Sequence, residues 1–280
     1  MAPSSRLATV ACHLAGRPTL ACGVAASEHP PLELVTGTPL AVSDLMLGCA
    51  FVNSRRDEAA ADDARATATV AAAIAAGIRD FDTAPFYGAS EDRVGKALAA
   101  AAGSGGFSAG GKGKDLRVWT KIGVVRDGGT VAELGATAQG AQTSFTESTQ
   151  RLGVKSLSGL RFHDIPDAKG GGTLPTTDDL IAAAAAPGSG MVAGIVALKA
   201  AGLVDEISIG MNASGGRRSD WSDPDAAVYG TPEQIVDLIR AVPDGTFDSL
   251  LMASGWNLLY HEGAVVLREC AAKGIAVHNA

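Results

Sequence analysis

The chain has 280 residues and a formal net charge of −7, and hydrophobic residues make up 46% of it. This composition supports one large folded domain or two small ones, and it excludes wholesale disorder. The acidic balance argues against a nucleic-acid-binding surface, which would carry a basic excess or stripe. No apolar run approaches the ~20 residues that a membrane-spanning helix requires, so we expect no membrane partner.

The cysteines and histidines do not form the spacings of a metal site or a disulfide scaffold. Cys12, Cys22, Cys49 and Cys270 are widely scattered and contain no CxxC pair. This usage fits a reducing compartment better than a disulfide-stabilised or zinc-bound domain. None of the five histidines occurs at HxxxH spacing, so we predict no bound metal.

The first residues differ in composition from the rest of the chain. Residues 1–27 contain Arg6 and Arg17, several Ser and Thr, and no acidic residue. That composition is typical of an organellar transit peptide, although a disordered tail on a cytoplasmic protein is the simpler explanation. We therefore expect a tail or targeting segment over residues 1–31 and the folded domain over 32–280.

Downstream, short apolar runs alternate with longer alanine-rich runs, and this pattern predicts strands alternating with helices. The predicted strands are Leu45–Phe51, Ile78–Asp82, Leu116–Lys121, Leu157–His163, Glu206–Gly210, Phe247–Ala253 and Ile275–His278. The predicted helices are Asp62–Ala76, Glu91–Ala102, Thr143–Leu152, Val192–Ala201, Pro232–Ala241 and Ala264–Lys273. A hairpin is predicted over 32–42, and loops over 103–115, 168–177 and 214–227.

Polar residues stand at the carboxyl ends of four predicted strands, namely Asp82, Lys121, His163 and Asn212. Seven strands with helical crossovers predict a parallel sheet. In a (β/α)8 barrel such strand ends meet at one face, where active sites are built. A doubly wound open sheet would instead show a glycine-rich turn after its first strand, and none occurs here. We therefore predict an α/β barrel, with seven barrel strands in this chain.

Asp82, Tyr87, Lys121 and His163 together suit proton transfer. A tyrosine exchanges protons poorly near neutral pH, but a nearby ammonium favours the phenolate. A carboxylate can hold that ammonium in place, and a histidine can orient a carbonyl or hydroxyl. Taken singly, each residue has an ordinary explanation as a turn residue, rim packing or a solvated charge; their shared location favours a site for hydride-transfer chemistry with a nicotinamide.

These residues lie in segments that resemble the aldo-keto reductase family. GIRDFDTAPFYGASEDRVGKAL (77–98) resembles the family's first signature, and WTKIG (119–123) resembles its lysine strand. SFTESTQRLGVKSLSGLRFHDIPD (144–167) resembles its histidine strand and the helix before it. LVDEISIGMN (203–212) and VTGTPLAVSDLMLGCA (35–50) resemble the asparagine segment and the opening hairpin with the first strand.

The resemblance implies roles for these positions. Tyr87 is implied as the general acid in reduction, or the base in oxidation, with Lys121 supporting it and Asp82 pairing with Lys121. His163 is implied to steer the substrate oxygen. Asp82 and Asn212 are implied to contact NADP or NAD, together with two residues of the first strand, Gly48 and Cys49.

The resemblance also suggests a branch and an incomplete barrel. FDTAP (81–85) and HDIPD (163–167) are similar to the aldose 1-dehydrogenases, which oxidise sugars such as fucose, galactose or arabinose at C1. The expected substrate is thus a sugar aldose or another small aldehyde or alcohol. The seventh predicted strand closes the sequence, so we expect the last strand and helix of the family's barrel to be missing.

Two alternatives remain open from the sequence. Barrels also host Schiff-base aldolases, in which Lys121 would be the nucleophile. The chain could also be a non-catalytic relative of the reductases that has lost its affinity for the cofactor. Trapping of a covalent adduct would favour the first alternative, and failure to bind either nicotinamide cofactor would favour the second.

Overall fold

The computed structural model describes residues 41–52, 59–102, 116–122, 137–163, 177–213 and 231–280; for 59–62 and 177–180 only the backbone is considered. The predicted tail over 1–31 lies outside these residues. So do most of the hairpin over 32–42 and the loops over 103–115, 168–176 and 214–227.

The sheet has seven parallel strands in the order in which they occur along the chain, and every neighbouring pair is parallel. This arrangement confirms the predicted α/β barrel architecture, in which successive parallel strands are joined by crossovers. The strands are β1 Met46–Gly48, β2 Asp80–Asp82, β3 Arg117–Ile122, β4 Leu157–His163, β5 Val204–Asn212, β6 Ser249–Ala253 and β7 Ala276–Asn279.

Helices occupy the crossovers of the described part of the chain. They are α1 Ala59–Ala75, α2 Ser90–Ala102, α3 Ala138–Leu152, α4 Thr177–Ala185, α5 Met191–Ala200, α6 Pro232–Arg240 and α7 Ala264–Lys273, and a short 3-10 turn, Val42–Asp44, precedes β1. As predicted, Thr231 caps α6 through its side chain and Pro232 begins that helix. Gly153 and Gly274 end α3 and α7 in the left-handed conformation, which a residue without Cβ adopts readily.

Several predicted element bounds were wrong; strand β1, predicted over Leu45–Phe51, spans only Met46–Gly48. Helix α4 was not predicted, because its alanine run has no periodic apolar pattern and follows a glycine-rich stretch of sequence; Thr177, predicted as the end of a loop, begins this helix. Helix α3 begins at Ala138 rather than Thr143, because the Thr137 hydroxyl accepts the Gly140 N–H at 3.0 Å and caps it there. Strand β5 continues beyond Gly210 to Asn212, which pairs with Ala253 of β6.

The two faces of the sheet differ in polarity. The outer face carries buried apolar side chains such as Phe81, Leu160, Ile209 and Leu250, which form the hydrophobic core with the helices. Successive side chains of a strand alternate between the faces. The inner face accordingly carries the residues between them: Asp80, Asp82, Lys121, Arg161, His163, Glu206, Ser208 and Ser249. Barrel interiors are ordinarily filled by bulky branched side chains, so this interior is unusually polar.

The sheet curls around these inward side chains. Arg161 of the central strand β4 donates hydrogen bonds to Met46 Sδ at 3.5 Å and contacts His278 Nδ1 at 2.9 Å. Met46 and His278 belong to β1 and β7, the first and last strands of the sheet. One side chain therefore touches both ends of the sheet, which a flat sheet of this width would not allow.

In the part of the chain that the structure describes, no helix is long and apolar enough to cross a membrane. Among the same residues, no group of three or more His, Cys, Asp or Glu side chains could hold a metal ion.

Candidate active site

The loop that follows β2 holds Tyr87 at the carboxyl end of the strands. The Thr83 N–H continues the sheet by donating to Trp119 O at 2.9 Å, and the hydroxyls of Thr83 and Ser90 lie 2.9 Å apart. The Ser90 hydroxyl donates to Cys49 O at 2.8 Å, which ties the start of α2 to the end of β1. The loop 83–89 is thus fixed at both ends.

Tyr87 is half-buried and lies beside the ammonium of Lys121. The Lys121 Nζ atom is 4.7 Å from the centroid of the Tyr87 ring, within the ~6 Å range of a cation–π contact. The Tyr87 N–H donates to Ala84 O at 3.1 Å, and Tyr87 O accepts from the Ser90 N–H at 3.0 Å. These backbone bonds place the phenol next to a buried cation.

The Lys121 ammonium is buried, with 1% of its side chain exposed. It donates to Asp82 Oδ2 and, at 2.9 Å, to the carbonyl oxygen of Thr83. The other carboxylate oxygen of the same residue, Asp82 Oδ1, accepts from Arg161 Nε at 2.8 Å. One carboxylate therefore serves two cations, and all three charges are enclosed within the barrel.

The pKa of Asp82 lies below its ordinary value although the residue is fully enclosed. Burial alone would raise it, because a low-dielectric surrounding disfavours the charged form. The positive charges of Lys121 and Arg161, and the hydrogen bonds that both donate, outweigh burial and lower the pKa. Asp82 is therefore ionised at neutral pH and provides a permanent counter-ion for Lys121.

His163 ends β4 and is partly buried against the loop that carries Tyr87. Its ring lies 5.5 Å from the ring of Phe86, centroid to centroid. Burial and the positive charge of Lys121 lower the pKa of His163 to about 3, against a smaller opposing effect of Asp82. At neutral pH the imidazole is uncharged, so it can both donate and accept a hydrogen bond.

The residues predicted for the cofactor occupy different positions. Asn212 is half-buried at the end of β5, on the inner face beyond Gly210, which pairs with His163. Gly48 ends β1 beside Asp82, and a Cβ atom built on it would meet no atom of the described residues within 4 Å.

The thiol of Cys49 lies elsewhere, fully buried among core side chains, and burial raises its pKa to about 12. Its backbone N–H donates to Asp82 O at 2.8 Å. The structure thus brings Asp82, Tyr87, Lys121 and His163 together, with Gly48 and Asn212 at neighbouring strand ends and the Cys49 thiol in the core.

The sequence reasoning missed Arg161, which is as central to the cluster as Lys121. A signal was present: Arg161 stands two residues before His163 in the same strand, so both side chains point into the barrel. A charged residue inside an otherwise apolar strand indicates a buried partner, here Asp82. His278, which contacts Arg161, was missed in the same way.

The arrangement can move a proton. The hydroxyl of Tyr87 can both donate and accept a hydrogen bond, and the buried ammonium of Lys121 places a positive charge beside its ring. The carboxylate of Asp82 keeps the ammonium in place, and the neutral imidazole of His163 can orient a carbonyl oxygen. This chemistry is general acid–base catalysis coupled to a partner that carries the electrons.

Comparisons with known proteins identify a family for this chain. The family model of the aldo/keto reductase family matches residues 44–215, more than half of the chain. No curated protein sequence matches the chain.

Two solved structures share the fold. A Pseudomonas aeruginosa protein assigned as an aldo-keto reductase superposes with a TM-score of 0.56 at 22% identity, covering 86% of this chain and 74% of the other. A Bombyx mori aldo-keto reductase solved in complex with NADP gives a TM-score of 0.53 at 18% identity, covering 84% of this chain and 61% of the other.

At these identities the structural likeness shows the fold, and the family is shown by the sequence match. The matched segment contains the cluster of Asp82, Tyr87, Lys121 and His163. The chain therefore belongs to the aldo/keto reductase family, whose members are generally oxidoreductases that use NAD(P)H.

Proposed function

We propose that this protein catalyses NAD(P)-dependent hydride transfer between nicotinamide and a small aldehyde or alcohol, with Tyr87 as the general acid or base. The observation that carries the proposal is the contact of the Tyr87 ring with the buried Lys121 ammonium at 4.7 Å. A solvated lysine would give the phenol little support, because water screens its charge. Lys121 is enclosed, so its field acts on the phenol with little screening.

In reduction, Tyr87 donates its proton to the carbonyl oxygen as the carbonyl carbon receives hydride. The phenolate that forms is stabilised by Lys121, whose ammonium is held by Asp82 Oδ2 and Thr83 O. Uncharged His163 donates a hydrogen bond to the same oxygen and fixes its direction. In oxidation the steps run in reverse, and the phenolate accepts the hydroxyl proton.

A bound nicotinamide would supply or accept the hydride. The residues present fit such a group, because Gly48 leaves the end of β1 without a side chain beside Asp82. None of the described residues lies within 4 Å of the position that a Cβ on Gly48 would take. We assign Asn212 to the carboxamide and Asp82, Gly48 and Cys49 to the surroundings of the ring. Cys49 belongs to them only by its position next to Gly48, because its thiol is buried and its backbone N–H donates to Asp82 O.

The proposed substrate is a sugar aldose oxidised at C1. This part of the proposal rests on the resemblance of FDTAP (81–85) and HDIPD (163–167) to segments of aldose 1-dehydrogenases. Residues 164–167 of this chain lie outside the described residues. A reducing sugar offers a C1 hydroxyl that the Tyr87 phenolate can deprotonate. The other candidates of the same class are small aldehydes reduced in the opposite direction.

A Schiff-base aldolase that uses Lys121 fits the geometry less well. A Schiff base forms only on an amine that can reach the carbonyl carbon of the substrate. Lys121 Nζ instead donates to Asp82 Oδ2 and to Thr83 O, and both contacts hold it within the barrel. Borohydride treatment with a carbonyl substrate should therefore leave no covalent adduct on Lys121.

The test is Tyr87→Phe, which removes the phenolic hydroxyl and keeps the ring over Lys121. We expect kcat for NAD(P)-linked turnover of aldoses and aldehydes to fall about 10²- to 10⁴-fold. Binding of NADPH, followed by fluorescence, should stay within about twofold. Tyr260→Phe, which removes the same hydroxyl from the segment after β6, is the matched control and should keep its activity. Wild-type activity in Tyr87→Phe would remove Tyr87 from the mechanism.

A further inference from the structure

Arg161 is the largest fully buried side chain of the described residues, and it lies at the centre of the barrel. A buried guanidinium requires a partner for its charge and acceptors for its donors. Four elements supply them. Arg161 Nε donates to Asp82 Oδ1 on β2 at 2.8 Å, and Nη1 donates to Ser208 Oγ on β5 at 2.6 Å. Nη2 is shared between Met46 on β1 and His278 on β7.

The contact with His278 fixes the state of that ring. A guanidinium can only donate, so His278 accepts at Nδ1, 2.9 Å away, and carries its proton on Nε2. Burial and the charge of Arg161 lower the pKa of His278 to about 4. The ring is therefore an uncharged acceptor at neutral pH, and it adds no third positive charge to the interior.

The two cations divide the carboxylate of Asp82 between them. Arg161 takes Oδ1 and Lys121 takes Oδ2, so the plane of the carboxylate is set by both. The guanidinium is itself immobilised by Ser208, whose hydroxyl donates a hydrogen bond to Ser249 O at 3.0 Å. Asp82 thus cannot rotate away from Lys121 without breaking a bond to a fully held arginine.

A glycine makes room for both long side chains. A Cβ built on Gly210 would lie 2.9 Å from Arg161 Cδ and 3.2 Å from Lys121 Cε. Any other residue at this place would press on the two stems together. The strand position between Ser208 and Asn212 is therefore shaped for Arg161 and Lys121 as a pair.

We propose that Arg161 is a positioning residue of the reaction: it orients the Asp82 carboxylate so that Lys121 is held beside Tyr87. This inference rests on the proposed function for its kinetic effect, but the arrangement of Lys121 can be observed without turnover. The rival role is purely structural, since Arg161 joins β1 and β7 across the interior. A structural role would lower stability without altering the environment of Lys121 or kcat of the folded protein.

Arg161→Met removes the charge and the donors and keeps most of the volume. Its control is Arg117→Met, which removes an arginine from the neighbouring strand β3. Arg117 lies 5.6 Å from the Trp119 ring, against 5.9 Å for Arg161, and pairs with Asp80 instead of Asp82. Melting temperature is measured for each variant so that kinetic constants refer to folded protein.

With the full chain, we expect Arg161→Met to lower kcat about 10- to 100-fold while KM and the Kd for NADPH change less than about threefold. Arg117→Met should stay within about threefold in all three quantities. Arg161→Lys keeps the charge but has no planar fork, so it should restore only part of kcat. If Arg161→Met does not fold, Arg161→Lys supplies the comparison.

The second readout is the ammonium signal of Lys121 in protein labelled with ¹⁵N at lysine Nζ, assigned by its loss in Lys121→Met. The signal should shift or disappear in Arg161→Met and stay in place in Arg117→Met. An unchanged signal in Arg161→Met overturns the inference whatever the kinetics. A shifted signal in a protein that shows no NAD(P)-linked turnover supports the positioning of Lys121 and instead contradicts the proposed function.

Discussion

Two aspartates of β2 behave in opposite ways, although they stand two residues apart on the same face of one strand. The pKa of Asp82, at the carboxyl end, lies below its ordinary value, whereas the pKa of Asp80, at the amino end, lies above it. Each accepts hydrogen bonds from an arginine that lies over the Trp119 ring. Asp80 and Asp82 thus have the same residue type, the same strand and an arginine as partner.

The difference comes from the number and enclosure of the cations. Burial raises the pKa of both carboxyl groups. At Asp80 the single partner Arg117 does not outweigh burial, since its side chain is 46% exposed and the negative charge of Glu206 acts against it. At Asp82 two enclosed cations, Lys121 and Arg161, outweigh burial. The buried charges around a carboxyl group therefore decide whether its pKa rises or falls. Positive charge is in excess at the carboxyl end of the strands, which is also the end that carries Tyr87.

The largest expected difference is between Asp82→Asn and Asp80→Asn. Removing the carboxylate of Asp82 leaves two buried cations without a counter-ion, which should destabilise the fold by about 3–5 kcal/mol. Asp80→Asn removes a half-exposed pair and should change stability by about 1 kcal/mol or less. Urea unfolding at pH 7 measures both. Equal losses in the two variants would contradict the comparison.

A smaller difference is expected between two glycines of the inner face. Gly210→Ala forces a methyl group between Arg161 and Lys121, and such overpacking should cost about 1–3 kcal/mol. Gly48→Ala places the same methyl group where no described residue lies within 4 Å, and it should leave the free energy of unfolding within about 0.5 kcal/mol of wild type. Urea unfolding of both variants provides the measurement, and a stable Gly210→Ala would show that the two side chains can separate.

The smallest expected effect concerns acid stability. The lowered pKa of Asp82 means that the unfolded chain binds its proton first, so this group's contribution to stability is lost as pH falls below ~3.9. The raised pKa of Asp80 has the opposite sign: the folded state binds its proton first, and stability is gained as pH falls through the folded pKa. Asp80→Asn should therefore make the acid-side loss of stability steeper.

Urea midpoints between pH 6 and pH 3.5 test this sign. The two neutral histidines, His163 and His278, also lower the stability of the fold in this pH range. Their pKa values in the folded protein are lowered to about 3 and about 4, so the unfolded chain binds their protons first. Their contribution is common to wild type and variant and cancels in the difference. If stability falls less steeply with decreasing pH in Asp80→Asn than in wild type, the pKa of Asp80 is lowered and not raised by folding.

The site could be predicted from sequence where strand periodicity determines it. Asp82, Lys121 and His163 end parallel strands, and those ends meet at one face whatever the loops do. The contact of Tyr87 with Lys121 could not be derived from local pattern, because Thr83, Ser90 and Cys49 fix the loop through hydrogen bonds between distant segments.

Two further features, Arg161 and helix α4, were not predicted from the sequence, and each has a physical reason. Arg161 was missed because a charge inside a strand indicates a buried partner without identifying it, and the partner Asp82 lies on another strand. Helix α4 was hidden because alanine is a strong helix former without a hydrophobic face of its own.

The contact between Arg161 and His278 also has a consequence for how the last strand of the sheet pairs. A slip of β7 by one residue would turn every side chain of the strand to the opposite face. Val277, now packed in the outer core, would then face the guanidinium and leave Nη2 without its nitrogen acceptor. The hydrogen bond between His278 and Arg161 therefore favours one register of β7 against β6 and destabilises a register shifted by one residue.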